Sequence, residues 1–305
     1  MSKKVQKPFL KWVGGKTQII EQLSDKFPKE MENYHEVFLG GGSVLFALLS
    51  LEKQNKVTIK KKIYAYDLNE TLIGLYKNVQ TNKDELYRKV ESLVKEYDGC
   101  SGNITNRNPE TIEQAKSSKE SYYYWCRNNF NILWKNHDKT SVEASALFMF
   151  LNKTCFRGMY REGPNGYNVP YGHYKKTPAV LDKKQLDTVS ELIQNVEFQC
   201  LDFNNSFKNI NAGDFVYLDP PYAPESSTSF VKYTKDGFDL DTHKKLFKMT
   251  NELTEKKIMF MMSNANVELV KTHLGKNKTQ EILCRRAINS KKPESTAMEV
   301  IITNY

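Results

Sequence analysis

The chain has 305 residues, of which 39% are hydrophobic and 27% charged, a composition typical of a folded globular protein and not of a disordered one. It carries 45 lysines and arginines against 36 acidic residues, and the net charge of +9 favours a polyanionic partner such as nucleic acid. The longest apolar runs fall far short of the roughly 18 residues that suggest a membrane span, so we expect no membrane contact.

The N-terminal segment and the cysteines indicate the cellular compartment in which the protein resides. The first residues are basic but lack the apolar stretch of a secretory signal, so we expect an intracellular, cytoplasmic protein. Five widely spaced cysteines without a C-x-x-C pair argue against a disulfide framework or a zinc ribbon. The five histidines show no H-x-H or H-E-x-x-H spacing, and we expect no metal site.

The first motif in chain order is Gly14-Gly15-Lys16-Thr17, which invites comparison with a nucleotide-binding P-loop. The P-loop pattern needs a glycine at position 10, where this chain has Leu10, and no convincing strand precedes the motif. We therefore disfavour an ATPase.

A glycine-rich turn comes next. A strand predicted over 35–39 leads into Gly40-Gly41-Gly42, and a helix is predicted from Ser43. Small residues in such a strand–turn–helix unit let the backbone approach a ligand closely, although a tight turn without a ligand fits the same pattern. Asp67 follows the next predicted strand, 62–66, and is placed to accept hydrogen bonds from a ribose or a ligand amine.

The stretch over 77–184 differs from its surroundings. It contains a Gly/Asn/Thr-rich loop, an aromatic cluster and a Gly/Pro/Tyr-rich segment. We interpret it as a second domain inserted between strands of the first, with 1–76 and 185–305 forming the main domain. Short strands separated by helical patterns indicate that this main domain is an α/β fold with a mostly parallel sheet.

The most specific signal is Asp219-Pro220-Pro221-Tyr222, directly after the apolar strand predicted over 215–218. An exocyclic amine on adenine or cytosine is a poor nucleophile because its lone pair is delocalised into the ring. A carboxylate and a carbonyl held by prolines can accept its two N–H bonds and aim the lone pair at an electrophilic methyl group. Tyr222 can stack on the base, which is worth ~1–3 kcal/mol.

Later elements complete the predicted sheet. Strands are predicted over 257–262, 280–284 and 298–303, and helices over 241–254 and 267–273.

A covalent route to methylation of a cytosine carbon would need a Pro-Cys pair, and none of the five cysteines follows a proline. That class of methyltransferase is therefore disfavoured.

Three motifs in this order resemble the DNA adenine methylase (Dam-like) family of S-adenosylmethionine-dependent N6-adenine methyltransferases. Residues 8–16, PFLKWVGGK, are similar to its opening motif, 38–42 to its cofactor loop and 219–222 to its catalytic motif. The tail from Arg285-Arg286 to Tyr305 is also similar. The resemblance covers nearly the whole chain and implies a Rossmann-like, doubly wound methyltransferase sheet with an inserted, mainly helical target-recognition domain that carries a β-hairpin.

The resemblance also implies roles for individual residues. Catalytic roles fall on Asp219, Pro220 and Tyr222. Contacts with S-adenosylmethionine fall on Trp12, Lys16, Phe38, Gly40, Gly42, Asp67, Asp202, Phe203 and Asp219, with Lys16 near the cofactor's carboxylate. Ser263-Asn264 resembles a loop that we treat as structural.

The segment 152–174 resembles the hairpin with which the family enters DNA. Five lysines and arginines against Glu162 give residues 152–176 a net charge of +4, interleaved with aromatic residues and glycines, although a solvated basic loop fits this pattern too. The implied DNA contacts are Lys11, Asn152, Phe156, Arg157, Met159, Arg161, Pro170 and Tyr174. Among them Arg161 matches the position that reads guanine.

Two departures from the family pattern are visible. The family often has asparagine at the position of Arg157, which affects the recognition sequence, and proline at the position of Val37, which should leave cofactor binding intact. Residues 158–161 predict a GATC-like recognition sequence in DNA.

Several alternatives stay open. The product could be N4-methylcytosine or methylated RNA adenine, and a relative that binds DNA without catalysis would share the same pattern. We expect double-stranded DNA as the partner and a monomer as the oligomeric state. A restriction endonuclease that acts on the same site is a further expected partner.

Overall fold

The computed structural model describes residues 5–174, 176, 178–223, 238–285 and 296–305. Lys175, one of the five basic residues counted over 152–176, and Arg286 of the tail motif lie outside the described residues. The strands in chain order are β1 (Glu30–Met31), β2 (Tyr34–Glu36), β3 (Thr58–Ile59), β4 (Ile63–Asp67), β5 (Glu162–Gly163), β6 (Gly166–Tyr167), β7 (Val196–Cys200), β8 (Phe215–Leu218), β9 (Met259–Ala265), β10 (Lys278–Arg285) and β11 (Thr296–Thr303).

The described helices alternate with the strands along much of the chain. Short 3₁₀ turns cover Lys16–Gln18, Phe156–Gly158 and Phe207–Asn209. The α-helices are α1 (Ile20–Ser24), α2 (Ser43–Lys53), α3 (Glu70–Thr81), α4 (Lys83–Asp98), α5 (Ile112–Ala115), α6 (Lys119–Lys135), α7 (Val142–Thr154), α8 (Lys183–Leu192), α9 (Phe203–Ser206), α10 (Leu240–Glu255) and α11 (Glu268–Leu274).

Seven strands of the described chain form one sheet in the order β10-β11-β9-β8-β2-β4-β7. The pairs β9/β8, β8/β2, β2/β4 and β4/β7 are parallel, whereas β10/β11 and β11/β9 are antiparallel. The predicted α/β class with a mainly parallel sheet is confirmed.

Both faces of this sheet are covered by apolar side chains, as buried parallel strands require. Along β8, Phe215 and Tyr217 belong to one apolar cluster, while Val216 and Leu218 belong to a second one. The first cluster includes residues of α2 and α3, and the second includes Leu246 of α10. The sheet therefore lies between two helical layers, which is the predicted doubly wound arrangement.

The segment between β4 and β7 is mainly helical and carries the small hairpin β5/β6. Tyr123 of α6 and Phe148 of α7 belong to the same apolar cluster as the first face of the sheet. Residue 76 lies inside α3 and residue 184 inside α8, so both predicted domain boundaries cut continuous helices. The division into two domains stays a prediction.

The strand ends differ from the predicted ones for local reasons. β2 ends at Glu36 instead of 39, although Val37 and Leu39 still donate backbone hydrogen bonds to the neighbouring strands. β9 begins at Met259 instead of 257 because Lys257 has a left-handed φ of 57° and closes the preceding helix. A transmembrane span would need a long, uniformly apolar helix, and the described part of the chain contains none.

Candidate functional site

The residues at and just beyond the carboxyl ends of β2, β4, β7 and β8 collect at one edge of the sheet. These four strands are parallel neighbours, so their carboxyl ends face the same side, where ligands of open α/β sheets bind. The residues placed there include Gly40, Asp67, Asp202 and Asp219.

Asp219 comes directly after the fully buried strand β8 and forms an ion pair with Lys16. Lys16 Nζ lies 2.6 Å from Asp219 Oδ2, with the two side chains 5% and 19% exposed. The ammonium also donates to the Gly14 carbonyl at 2.5 Å, and the Lys16 backbone N–H donates to Ser43 Oγ at 3.0 Å. Burial raises the pKa of Asp219 to about 6, although the Lys16 cation acts in the opposite direction.

The rest of the Asp-Pro-Pro-Tyr loop is fixed against the antiparallel part of the sheet. Pro220 is buried, and the half-buried Tyr222 donates its hydroxyl to Glu299 Oε2 of β11 at 2.8 Å. The Ala223 N–H donates to Asn264 Oδ1 of β9 at 3.1 Å. Lys16 Nζ lies 4.9 Å from the Tyr222 ring centroid. Carboxylate, ammonium and phenol therefore share one buried site.

The glycine turn lies under Trp12, which is half-buried. Gly40 and Gly42 have left-handed φ values of 50° and 69°, and Gly42 caps α2. A methyl group on Gly40 would lie 2.9 Å from the Trp12 ring, and one on Gly41 would lie 2.8 Å from the Trp12 Cβ. Only residues without a side chain fit this contact, so the three glycines are explained by backbone conformation and by close approach.

Asp67 ties the turn to the adjacent strand. Its Oδ2 accepts from the Gly40 N–H and its Oδ1 from the Asn69 N–H, both at 2.9 Å. Burial raises the pKa of Asp67, against the effect of these hydrogen bonds. Because each carboxylate oxygen has a second lone pair, the side chain can accept further hydrogen bonds.

Three aromatic rings lie at the same edge, beyond the turn. The centroid of Phe38 lies 6.2 Å from that of Phe203 and 5.9 Å from that of Phe238. Asp202 caps the short helix α9 by accepting from the Asn205 N–H at 2.9 Å, and it also accepts from the Asn204 amide. Hydrogen bonding by Asn204 lowers the pKa of Asp202. The Asp202-Phe203 pair therefore offers a carboxylate beside an apolar wall.

The predicted DNA-contacting residues fall into two groups. Phe156, Arg157, Arg161 and Pro170 are exposed on and around the β5/β6 hairpin, and Met159 is half-buried. Arg161 Nε donates to Asn168 Oδ1 at 2.6 Å and its Nη2 donates to the Asn168 carbonyl at 3.2 Å.

The second group lies between the hairpin and the opening motif. Asn152 is 1% exposed, and its amide accepts from the Lys11 N–H at 2.9 Å and donates to the Lys11 carbonyl at 2.7 Å. Lys11 Nζ donates to the Tyr174 hydroxyl at 3.2 Å and lies 4.5 Å from the Tyr174 ring centroid. Both hydrogen-bonding ends of the Asn152 amide therefore contact protein.

Sequence reasoning missed two acidic residues at this site. Glu299 contacts Tyr222, and Glu36 is buried behind Asp219, where it accepts from the Tyr34 hydroxyl at 2.6 Å. Burial raises the pKa of Glu36 to about 8. In β11, a carboxylate within a mostly apolar strand was the available signal for Glu299. For Glu36 the signal was weaker, because the polar His35 precedes it in β2. Ser263 and Asn264 were expected in a structural loop, but both lie in strand β9, where Asn264 holds the Asp-Pro-Pro-Tyr loop through the Ala223 N–H. Within the described residues, no cluster of three or more metal-ligating side chains is present.

Comparison with known proteins identifies similar chains. A family model described as D12 class N6 adenine-specific DNA methyltransferase matches residues 12–288. The type II methyltransferase M.MjaIII of Methanocaldococcus jannaschii is 38% identical, over 98% of this chain and 99% of that protein. The type II methyltransferase M1.LlaDCHI of Lactococcus lactis subsp. cremoris is 30% identical, over 98% and 95%. The DNA adenine methylase of Escherichia coli (strain K12) is 28% identical, over 99% and 96%.

Proposed function

Because this chain belongs to the D12 class of N6 adenine-specific DNA methyltransferases, we propose that its methyl donor is S-adenosylmethionine and that Asp219 holds the target amine. The observation that carries this proposal is the buried Lys16–Asp219 pair beside the glycine turn and Tyr222. This pair supplies, within one site, a cation for a carboxylate ligand and a hydrogen-bond acceptor for an amine.

The chemistry of the edge residues fits the donor molecule. Lys16 is buried and has three N–H donors, of which two face Asp219 and Gly14, so one is left for the donor's carboxylate. Asp67 supplies acceptors for its hydroxyl or amino groups, and the Phe38 and Phe203 rings supply apolar walls for its purine. The Asp202 carboxylate can accept from the purine's amine. When bound, S-adenosylmethionine supplies an electrophilic methyl carbon.

The catalytic work of the protein is positioning and electrostatic stabilisation. Ionised Asp219 and the Pro220 carbonyl accept the two N6–H bonds of adenine, which draws the nitrogen lone pair out of the ring and fixes its direction. Tyr222 stacks on the purine and so holds it in the cleft. With a pKa of about 6, Asp219 is mainly ionised at neutral pH and can act as this acceptor.

The target base has to leave the duplex to reach this buried edge, at a cost of roughly a few kcal/mol. The exposed group around the β5/β6 hairpin is suited to offset that cost. Phe156, Met159 and Pro170 provide apolar contacts to bases, and Arg157 provides charge. Asn168 holds Arg161 on one side of its guanidinium, which favours a fixed approach of the remaining donors to guanine.

The inner group is suited to a positioning role. Asn152 has its amide on the Lys11 backbone, and Tyr174 contacts the Lys11 ammonium. We therefore assign the direct base contact of this group to Lys11.

The names of two relatives, type II methyltransferases, support a restriction endonuclease that acts on the same site as a partner of this enzyme. A GATC-like recognition sequence and a monomeric state stay predictions.

Replacement of Asp219 by alanine tests the proposed chemistry. We expect Asp219→Ala to bind duplex DNA normally and to lose at least ~10²–10³-fold in turnover, the loss that follows removal of one preorganised group. Turnover is measured by transfer of a labelled methyl group, and DNA binding by a mobility-shift titration. The matched control is Asp241→Ala, because the Asp241 side chain is 91% exposed on α10. Near-normal turnover of Asp219→Ala would contradict the proposal.

A further inference from the structure

Glu299 joins the antiparallel edge of the sheet to the catalytic loop. The residue is half-buried in β11, and its Oε2 accepts the Tyr222 hydroxyl at 2.8 Å. Tyr222 lies four residues after the end of β8. The hydrogen bond to Glu299 connects residues 77 positions apart in the sequence. The buried thiol of Cys284, on the adjacent strand β10, lies against the same carboxylate.

Two contacts act on the Tyr222 side chain itself: this bond at its hydroxyl, and the Lys16 ammonium 4.9 Å from its ring centroid. The remaining contacts of the loop act on its neighbours. Lys16 pairs with Asp219 at the start of the loop, and Asn264 accepts from the backbone of Ala223 at its end. Both contacts act on neighbours of Tyr222. A phenol can rotate about two side-chain torsions, and a hydrogen bond to a carboxylate is stronger than one between neutral groups.

We propose that Glu299 is a positioning residue for methyl transfer: it holds the Tyr222 hydroxyl so that the ring presents a fixed face to the extruded adenine. Glu299 acts through Tyr222 and does not touch the substrate. The proposal rests on the stacking role of Tyr222 proposed above. It assigns a function to a carboxylate that would otherwise be an unexplained charge in an apolar strand.

Substitutions on both sides of the hydrogen bond test this proposal. We expect Glu299→Ala to lower kcat by about 10- to 100-fold, the factor that corresponds to one charge-assisted hydrogen bond. Glu299→Gln keeps a neutral acceptor and should lose less. The KM for S-adenosylmethionine should stay near that of the unmodified enzyme, because Lys16 and the glycine turn are unchanged.

A double-mutant cycle separates a positioning role from a structural one. If Glu299 acts through the phenol, Glu299→Ala should lower kcat far less in a Tyr222→Phe background than in the unmodified enzyme. Equal losses in both backgrounds would overturn the proposal, and so would a Glu299→Ala enzyme with unchanged kcat. Thermal unfolding of each variant gives the folded fraction by which kcat is corrected.

The matched control is Glu281→Ala. Glu281 is an exposed carboxylate on β10 that accepts from the Asn266 amide at 2.8 Å, away from the catalytic loop. Its kcat should equal that of the unmodified enzyme, and a loss equal to that of Glu299→Ala would overturn the proposal. Tyr222→Ala tests the stacking role separately. Full activity of Tyr222→Ala would reject that role, whereas an inactive Tyr222→Ala beside a fully active Glu299→Ala would reject only the positioning by Glu299.

Discussion

The environment of Asp219 combines two opposing influences on one carboxylate. The residue follows a fully buried strand, whose surroundings remove water from around the side chain, and the ammonium of Lys16 lies 2.6 Å away. Burial has the larger effect, so the pKa of Asp219 rises to about 6. Such a group changes charge just below neutral pH, which makes its protonation visible in the rate of the reaction.

A pH profile tests whether the ionised carboxylate is required. Protonation removes the negative charge with which Asp219 accepts its N6–H bond and stabilises the positive charge that develops on the nitrogen. The value of kcat/KM should therefore decrease as the pH falls through about 6, by about tenfold per unit below it. We expect the residual activity of Asp219→Asn to lack this acidic decrease. A kcat/KM that stays constant from pH 7 to pH 5, in protein shown by circular dichroism to remain folded, would contradict the role given to Asp219.

At the same scale, the sequence could indicate which residue types belong to the site but not how each would be used. Asp219, Asp67 and Lys16 were predictable because they follow a strand or stand in a motif. Asn152 was predicted to contact DNA, yet it is buried and holds the Lys11 backbone. Glu299 was not predicted, because its contact with Tyr222 joins distant parts of the chain.

At the scale of elements, the turn between β2 and α2 depends on backbone conformation. Gly40 has a left-handed φ of 50°, and its Cα lies under the Trp12 ring. An alanine there would suffer both conformational strain and a clash with the indole. One methyl group added at Gly40 should therefore disturb the structure more than the same methyl group added at a glycine with a negative φ and open space around it.

We expect Gly40→Ala to weaken S-adenosylmethionine binding by about tenfold or more, since a left-handed residue with a side chain costs ~1–2 kcal/mol before the clash is counted. Isothermal titration calorimetry measures this affinity. The control is Gly99→Ala at the end of α4, where φ is −73° and the nearest atom to an added methyl group lies at 3.4 Å. An affinity of Gly40→Ala equal to that of Gly99→Ala would show that the turn does not contact the cofactor.

Elements with a strong local pattern were predictable, and those defined by pairing alone were not. β8 was predicted at its true bounds because four apolar residues end abruptly at Asp219. The two-residue strands β1 and β3 lack any periodicity and exist only through their mutual pairing. The order of the strands in the sheet could not be predicted from the sequence either. β2 lies between β8 and β4, and only long-range packing decides that order.

At the scale of the whole molecule, the proposed function requires one edge of the sheet and the β5/β6 hairpin to act on the same base. Trp12 connects them, because its ring covers the glycine turn and stacks on Tyr160 at a centroid distance of 5.8 Å. Tyr160 precedes Arg161 in the chain. The shared apolar cluster of the sheet and the helical segment keeps these parts in a fixed relation. A net charge of +9 attracts duplex DNA without selecting its sequence.

The most direct test of the account is to methylate random-sequence duplex DNA with the purified protein and S-adenosylmethionine. Nucleoside analysis identifies the modified base, and single-molecule sequencing maps its positions. We predict N6-methyladenine alone, confined to one short sequence. Methyl groups on cytosine N4, adenines modified without regard to sequence, or no transfer at all would contradict it.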